Sequence, residues 1–292
     1  MPDDVTIRRL QPEDVPAASA VARAALDEQI PVEFMPSDDA ARALTQQRME
    51  RRMEHCRAND PEGSWVAEAG GEVVGVALAI VREGVWGLSL FGVAPGRQGQ
   101  GVGRRLLDAS LRCAEGCRGA IILSTTDPRA MRRYFRAGFR TKPCLTAAGP
   151  INRSLLPANL RSRRGDVGAD RELLDAASRQ VRGAAHGRDV AAMLATGGRL
   201  LVLDDRGFAV HRDGSPVVVA AFDDEAARDL LWSCFADGPA GETVHVDFIS
   251  DGNDWAIDVA LEMGLSLGPD GPVFVRGETG PFAPYLPSGA YL

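Results

Sequence analysis

Apolar and polar residues alternate over residues 5–10, VTIRRL, as they do in a short half-buried strand. The next stretch, QPEDVPAASAVARAALDE, carries apolar positions at helical spacing behind proline and acids, which is how a helix begins. Residues 37–58, SDDAARALTQQRMERRMEHCRA, predict a second helix with Ser37 as its N-cap and charges on the outer face. After NDPEG, the runs SWVAEAG, GEVVGVALAIVREG and VWGLSLFGV predict three successive strands of an antiparallel meander, the first two joined at Gly70-Gly71. GVGRRLLDASLRCAEG then reads as a helix, AIILSTT as a strand, DPRAMRRYFRAG as a helix and FRTKPCLTAAG as an extended piece.

Residues 149–166, GPINRSLLPANLRSRRGD, have two prolines, a basic cluster and no sustained period, the character of a linker. Beyond them the order of elements recurs. DRELLDAASRQVRG and GRDVAAMLATG predict helices, RLLVLDD, GFAVHRDG and PVVVAAF strands, DDEAARDLLWSCFA a helix, TVHVDFIS a strand, DWAIDVALEMG a helix and PVFVRG a closing strand. The expectation is an α/β (α+β) chain of two domains, 1–159 and 160–292, each with a mixed, mostly antiparallel sheet flanked by helices. For the tail ETGPFAPYLPSGAYL, with two tyrosines and three prolines, disorder and packing across the domains both stay open.

Length supports this division, because 292 residues exceed one ordinary domain and each half is long enough for a core. The chain is 45% hydrophobic and 25% charged, a globular composition. Its net charge of −7 argues against a general nucleic-acid binder. No window approaches about 18 uninterrupted apolar residues, and MPDDVTIRRL has no apolar signal region, so neither a membrane span nor a signal peptide is expected, and the expected location is cytoplasmic. Cys56, Cys113, Cys117, Cys144 and Cys234 lack metal-ligand spacing and are read as reduced structural thiols; no metal site is expected.

Chemistry concentrates in VAPGRQGQGVGRRLL, residues 93–107. The helix there starts near Gly101 or Val102 with no side chain before it to cap the first turn. Its free N–H groups and the positive end of its dipole suit phosphate oxygens. Glycines at 99, 101 and 103 let a ligand approach the backbone and allow positive φ. A Walker loop is excluded by the absence of Gly-Lys-Ser/Thr. A dinucleotide fingerprint is excluded by the two-residue glycine spacing and by the meander before it.

At these residues the chain resembles the GNAT superfamily of acyl-CoA-dependent N-acetyltransferases. Gln98, Gly99, Gln100, Gly101, Val102 and Gly103 fit its Gln/Arg-x-x-Gly-x-Gly/Ala signature behind Val93-Ala94-Pro95, and DPRAMRRYFRAGF is similar to the pattern that ends such domains. The resemblance covers roughly residues 5–148. It implies acetyl-CoA as cosubstrate, with N–H groups from Gly99 to Arg104 on the pyrophosphate and with Phe91, Gly92 and Val93 paired to the pantetheine arm. The Val93 N–H would face the developing oxyanion. Tyr134 occupies the place of a proton donor to the departing thiolate, the other reading being an aromatic packed against the sulfur. Asp127 stands where the family usually has an asparagine on the cofactor arm, and as an aspartate it reads equally as the cap of its helix, with Pro128 at the first position.

An attacking alkylamine, with pKa near ~10, must lose a proton, so a base is useful. The strands VWGLSLFGV and AIILSTT supply no carboxylate, Glu83 lying just before the former. Glu33, Glu68 and Glu72 are candidates by strand or loop position, each also readable as an ordinary surface acid; a water relay is the alternative, and no base is assigned.

The second half resembles a GNAT domain without its cofactor chemistry. Asp223, Asp224 and Glu225 stand where the glycine loop would be and would repel pyrophosphate. Gly264 matches Gly138, which puts Ala260 where the first half has Tyr134. Trp232, Trp255, Tyr285 and Tyr291 are candidates for a wall of the acceptor site. The expected acceptor is a primary amine of a small molecule or a protein, and a homodimer is compatible with the sequence. The rival from another class is a non-catalytic acyl-CoA sensor.

Overall fold

The computed structural model describes residues 5–28 and 38–292. Ser37 and Glu33 fall outside that range. The chain gathers into two compact units: one runs to Val81 and takes up Trp86–Cys117, and the other consists of Arg82–Val85 and Arg118–Leu292.

In the first unit the strand order is β1-β2-β3-β4, formed by β1 (Thr6–Arg9), β2 (Ser64–Ala69), β3 (Glu72–Arg82) and β4 (Val85–Val93). β1 and β2, and β2 and β3, pair antiparallel. Helices α1 (Val15–Asp27) and α2 (Asp39–Asn59) cover one apolar cluster, in which Ala18, Ala22, Met53 and Cys56 meet Val66, Val76, Leu78 and Leu90. Helix α3 (Val102–Ser110) lays Val102, Leu106 and Ala109 on a second, with Trp65, Ala67, Val74 and Ala77. The N-cap of α2 is Asp38, whose carboxylate accepts the Ala41 N–H at 2.8 Å. An aspartate one residue after Ser37 does the same work, and sequence alone does not rank two adjacent capping residues.

The second unit begins with β5 (Gly119–Leu123), α4 (Pro128–Arg136) and β6 (Arg140–Pro150). It continues through β7 (Arg163–Arg164), α5 (Arg171–Arg182), α6 (Arg188–Ala195), β8 (Arg199–Leu203), β9 (Gly207–Arg212) and β10 (Ser215–Ala221). Next come α7 (Asp224–Asp237), β11 (Thr243–Ser250), α8 (Asp254–Met263), β12 (Ser266–Gly277) and β13 (Tyr285–Leu286). One sheet of this unit has the order β13-β10-β9-β8-β7. Elsewhere in it β5, β12, β6 and β11 are consecutive neighbours, all antiparallel. β12, the last long strand, sits between β5 and β6, and β6 in turn pairs with β11. Strands from the two halves of the sequence therefore alternate, and this long-range pairing has no local periodic signal.

The tail is packed. Phe282, Tyr285, Tyr291 and Leu292 are buried with Ala177, Val181, Phe208 and Val218. Trp232 and Trp255 lie in the other apolar cluster of this unit, with Leu230, Phe235 and Val259. All four aromatics proposed for an acceptor wall are core residues, because helices α7 and α8 and the tail turn them inward.

His186 is fully buried. Its Nε2 donates to the Leu292 oxygen at 2.6 Å, and Nδ1 meets the Ser178 hydroxyl at 2.9 Å. Burial first, then the Arg182 charge, push it down from the usual 6.5 to about 3. Between these values the unfolded chain binds a proton that the folded chain refuses, so the contribution is complete above pH 6.5 and is lost as pH falls towards 3. Urea unfolding should weaken from pH 7 to pH 5 with a slope of up to about 1.4 kcal/mol per pH unit from this group. A His186→Gln variant should show a flatter dependence; an unchanged slope would contradict the assignment.

Candidate active site

In the first unit, β4 ends at Val93 and the chain turns through Pro95–Arg97 into the loop before α3. Two close approaches fix that end of the strand. A Cβ at Gly92 would meet Ala22 Cα at 3.2 Å and Ala25 Cβ at 3.3 Å, so α1 lies directly on the backbone there. The Ala94 N–H donates to Val74 O at 2.9 Å, which holds the exit of β4 beside β3. Gln98 then ties the loop back, its amide donating to Val93 O at 3.2 Å and to Glu28 at 3.0 Å. Gln100 braces the turn by donating to Gly96 O at 3.2 Å.

Between these braces the backbone is bare. Gly99 and Gly101 have φ of 78° and 86°, and a Cβ at either would meet nothing within 4 Å. Gly101 is the N-cap of α3 and makes no side-chain cap bond. Among the described residues, no acceptor meets the N–H groups of Gly99, Gln100, Gly101, Val102 or Gly103, while those of Arg104 and Arg105 already reach Gly101 O at 3.1 and 3.2 Å. Five donors thus stand at the positive end of a helix, and no Asp or Glu lies between residues 93 and 107. This cradle fits a pyrophosphate. Arg104 and Arg105 are exposed beside it.

In the second unit, Asp127 is the N-cap of α4 and accepts the Arg129 N–H at 2.8 Å and its Nε at 3.0 Å. Burial would raise this carboxyl, but Arg129 and the backbone N–H groups hold it below its usual range. The aspartate therefore caps. Tyr134 is 4% exposed and meets Phe274 of β12 edge-on, with ring centroids 5.4 Å apart. Burial pushes its phenol above the usual 10, so it keeps its proton at neutral pH.

The candidate bases within the described residues, and Glu83 beside them, are each engaged or exposed. Glu68 accepts from Arg8 at 2.7 Å, Glu83 accepts from Arg179 at 2.6 Å, and Glu72 is exposed at the start of β3. Sequence reasoning missed Asp270 of β12. Its carboxylate accepts the N–H groups of Phe248 at 2.8 Å and Gly271 at 2.6 Å, and burial pushes it up to about 6. Its signal is a β-bulge, which leaves no periodic trace.

The start of α7 is closed where that of α3 is open. Asp223 caps it by accepting the Ala226 N–H at 3.0 Å. Arg206 bonds Asp223 and Glu225 at 2.5 and 3.0 Å, and Arg161 bonds Glu225 at 3.1 Å. Asp223 is held low by Arg206. Asp223 and Glu225 are therefore neutralised by arginines, and it is the cap itself that consumes a donor an anion would need. Asn253, also missed, is the N-cap of α8, eleven residues before Gly264 as Asp127 is before Gly138.

An antiparallel meander and a glycine-lined helix start thus stand in the first unit, and a capped helix bearing a buried tyrosine in the second. Residues 28–139, less than half of the chain, match the Acetyltransferase (GNAT) family. Over 146 residues it is 32% identical to a mycothiol acetyltransferase of Streptomyces avermitilis, a stretch that covers 48% of this chain and 44% of that protein. The chain thus matches less than half the length of that relative. A putative acetyltransferase from Pyrococcus horikoshii shares its fold, with a TM-score of 0.78 and 16% identity over 98% of this chain and 95% of that one. A tandem GNAT protein from the clavulanic acid biosynthesis pathway superposes with a TM-score of 0.57 and 15% identity, covering 94% and 98%. No described helix is long and apolar enough to cross a membrane.

Proposed function

We propose that the chain is an acetyl-CoA-dependent N-acetyltransferase that acts on a primary amine of a small molecule or a protein, with residues 1–159 as the catalytic domain and residues 160–292 as a domain without cofactor chemistry. The observation that supports it is the row of five N–H groups at Gly99–Gly103 that meet no acceptor among the described residues, which matches the demand of a pyrophosphate. Acetyl-CoA supplies the activated acyl carbon. Gln98 keeps the loop in register with β4, and the backbone of Phe91, Gly92 and Val93 pairs with the pantetheine arm. The Val93 N–H donates to the thioester oxygen as negative charge builds there. As the amine nitrogen bonds to the acyl carbon and the C–S bond breaks, Tyr134 gives its proton to the leaving sulfur, the amine's proton passes to solvent, and a solvent proton restores the phenol.

That no acid stands on β4 or β5 favours one other reading, an acyl-CoA sensor that binds without turnover. Thiol release from acetyl-CoA, followed against a panel of amines, separates the two. The enzyme releases thiol with at least one amine, and a sensor with none.

A further inference from the structure

In the second unit, β10 and β11 are joined through α7 and touch where they start, the His245 N–H donating to Ser215 Oγ at 3.1 Å. Farther along no ladder joins them: β10 has β9 and β13 as neighbours, and β11 has β6. The strands diverge, and the tail fills the wedge.

Tyr285 and Leu286 pair antiparallel with Ala220 and Val219 of β10. The Asn253 amide clamps the backbone of the same segment, its Nδ2 donating to Phe282 O and its Oδ1 accepting the Tyr285 N–H, each at 2.8 Å. Deeper in, the Leu292 oxygen accepts from His186 at 2.6 Å, from the Tyr285 hydroxyl at 2.7 Å and from the buried Arg182 at 3.0 Å. Arg182 also donates to Tyr291 O at 3.1 Å. An extended backbone thus pairs with one side of a strand wedge while the side chain of the residue at the start of α8 grips it from the other.

In sequence order β10, α7, β11 and α8 repeat β4, α3, β5 and α4. Asn253 repeats Asp127. We infer that residues 282–292 fill the C-terminal half's own pantetheine wedge as an internal strand, so that this half is closed to an acyl-CoA arm by its own tail as well as by the cap on α7. The inference rests on the reading that the first half takes the arm beside β4. It adds a reason why one chain carries one cofactor, and it makes tail release the event that would open a second slot.

The test is hydrogen exchange on the full chain, with CoA and with pantetheine, the uncharged arm without its phosphates, as probes. In the wild type, CoA should slow exchange at residues 91–104, and pantetheine should leave residues 215–221 unchanged. Asn253→Ala removes both amide bonds to the tail and should speed exchange at Tyr285 and Leu286 about tenfold or more. Pantetheine should then slow exchange along residues 215–221 of that variant. Should Asn253→Ala not fold, Tyr285→Phe, which deletes the phenol's bond to Leu292 and its contact with His186, carries the same comparison. A tail that exchanges no faster, or one that opens without any pantetheine protection of β10, overturns the inference. Absence of CoA protection at residues 91–104 would instead fail the reading of the first half and leave the tail result to be judged separately.

Discussion

Replacing Tyr134 with phenylalanine is expected to lower turnover by about 10²- to 10³-fold, the usual worth of a positioned proton donor, with the affinity for acetyl-CoA unchanged. Removing one oxygen keeps the edge-on contact with Phe274, so folding should survive. Burial raises the phenol above its usual 10, which at first sight makes it a reluctant donor. The same physics acts on sulfur: burial pushes the Cys144 thiol up to about 11. A thiolate leaving in such surroundings gains basicity in step with the phenol, and the transfer stays within reach. Steady-state kinetics with a responsive amine, together with direct binding of acetyl-CoA, checks this. Unchanged turnover would reduce Tyr134 to a packing residue.

The second large effect belongs to the loop. Gly101 has φ of 86°, a region that costs a side-chain-bearing residue about 1–3 kcal/mol. Open space around the site means that the substituted protein still folds. Gly101→Glu adds a carboxylate beside the five donors, and at about 4 Å and an effective dielectric of 20 two like charges repel by about 4 kcal/mol. CoA affinity should fall at least about a hundredfold, which is about 2.7 kcal/mol. Gly101→Ala carries the backbone strain without the charge and should lose roughly tenfold. Equal losses in the two variants would show that the loop does not sit against phosphate.

Local features of this site were legible in the sequence because each is a short-range property. The 2-residue period marks the meander, glycine at 99, 101 and 103 marks the bare helix start, and Asp127-Pro128 marks the cap of α4. What escaped depends on residues far apart in the chain. Nothing around residue 270 announces that β12 lies between β5 and β6, and a bulge breaks the alternation that otherwise sets a residue on a face. Asp223 and Glu225 read as naked charge because their partners, Arg206 and Arg161, are 17 or more residues away. The tail held both readings open. Its burial is decided by Arg182 and His186 at the end of α5 and by Asn253 at the start of α8, segments about seventy residues apart in the chain.

The central claim is that main-chain nitrogens of residues 99–103 grip one polyphosphate per polypeptide. Titration of coenzyme A into the protein by calorimetry tests it directly, with the Gly101→Glu variant alongside. The account predicts a single site in the wild type and its loss in the variant. No heat with the wild type, or two equivalent sites per chain, would contradict it.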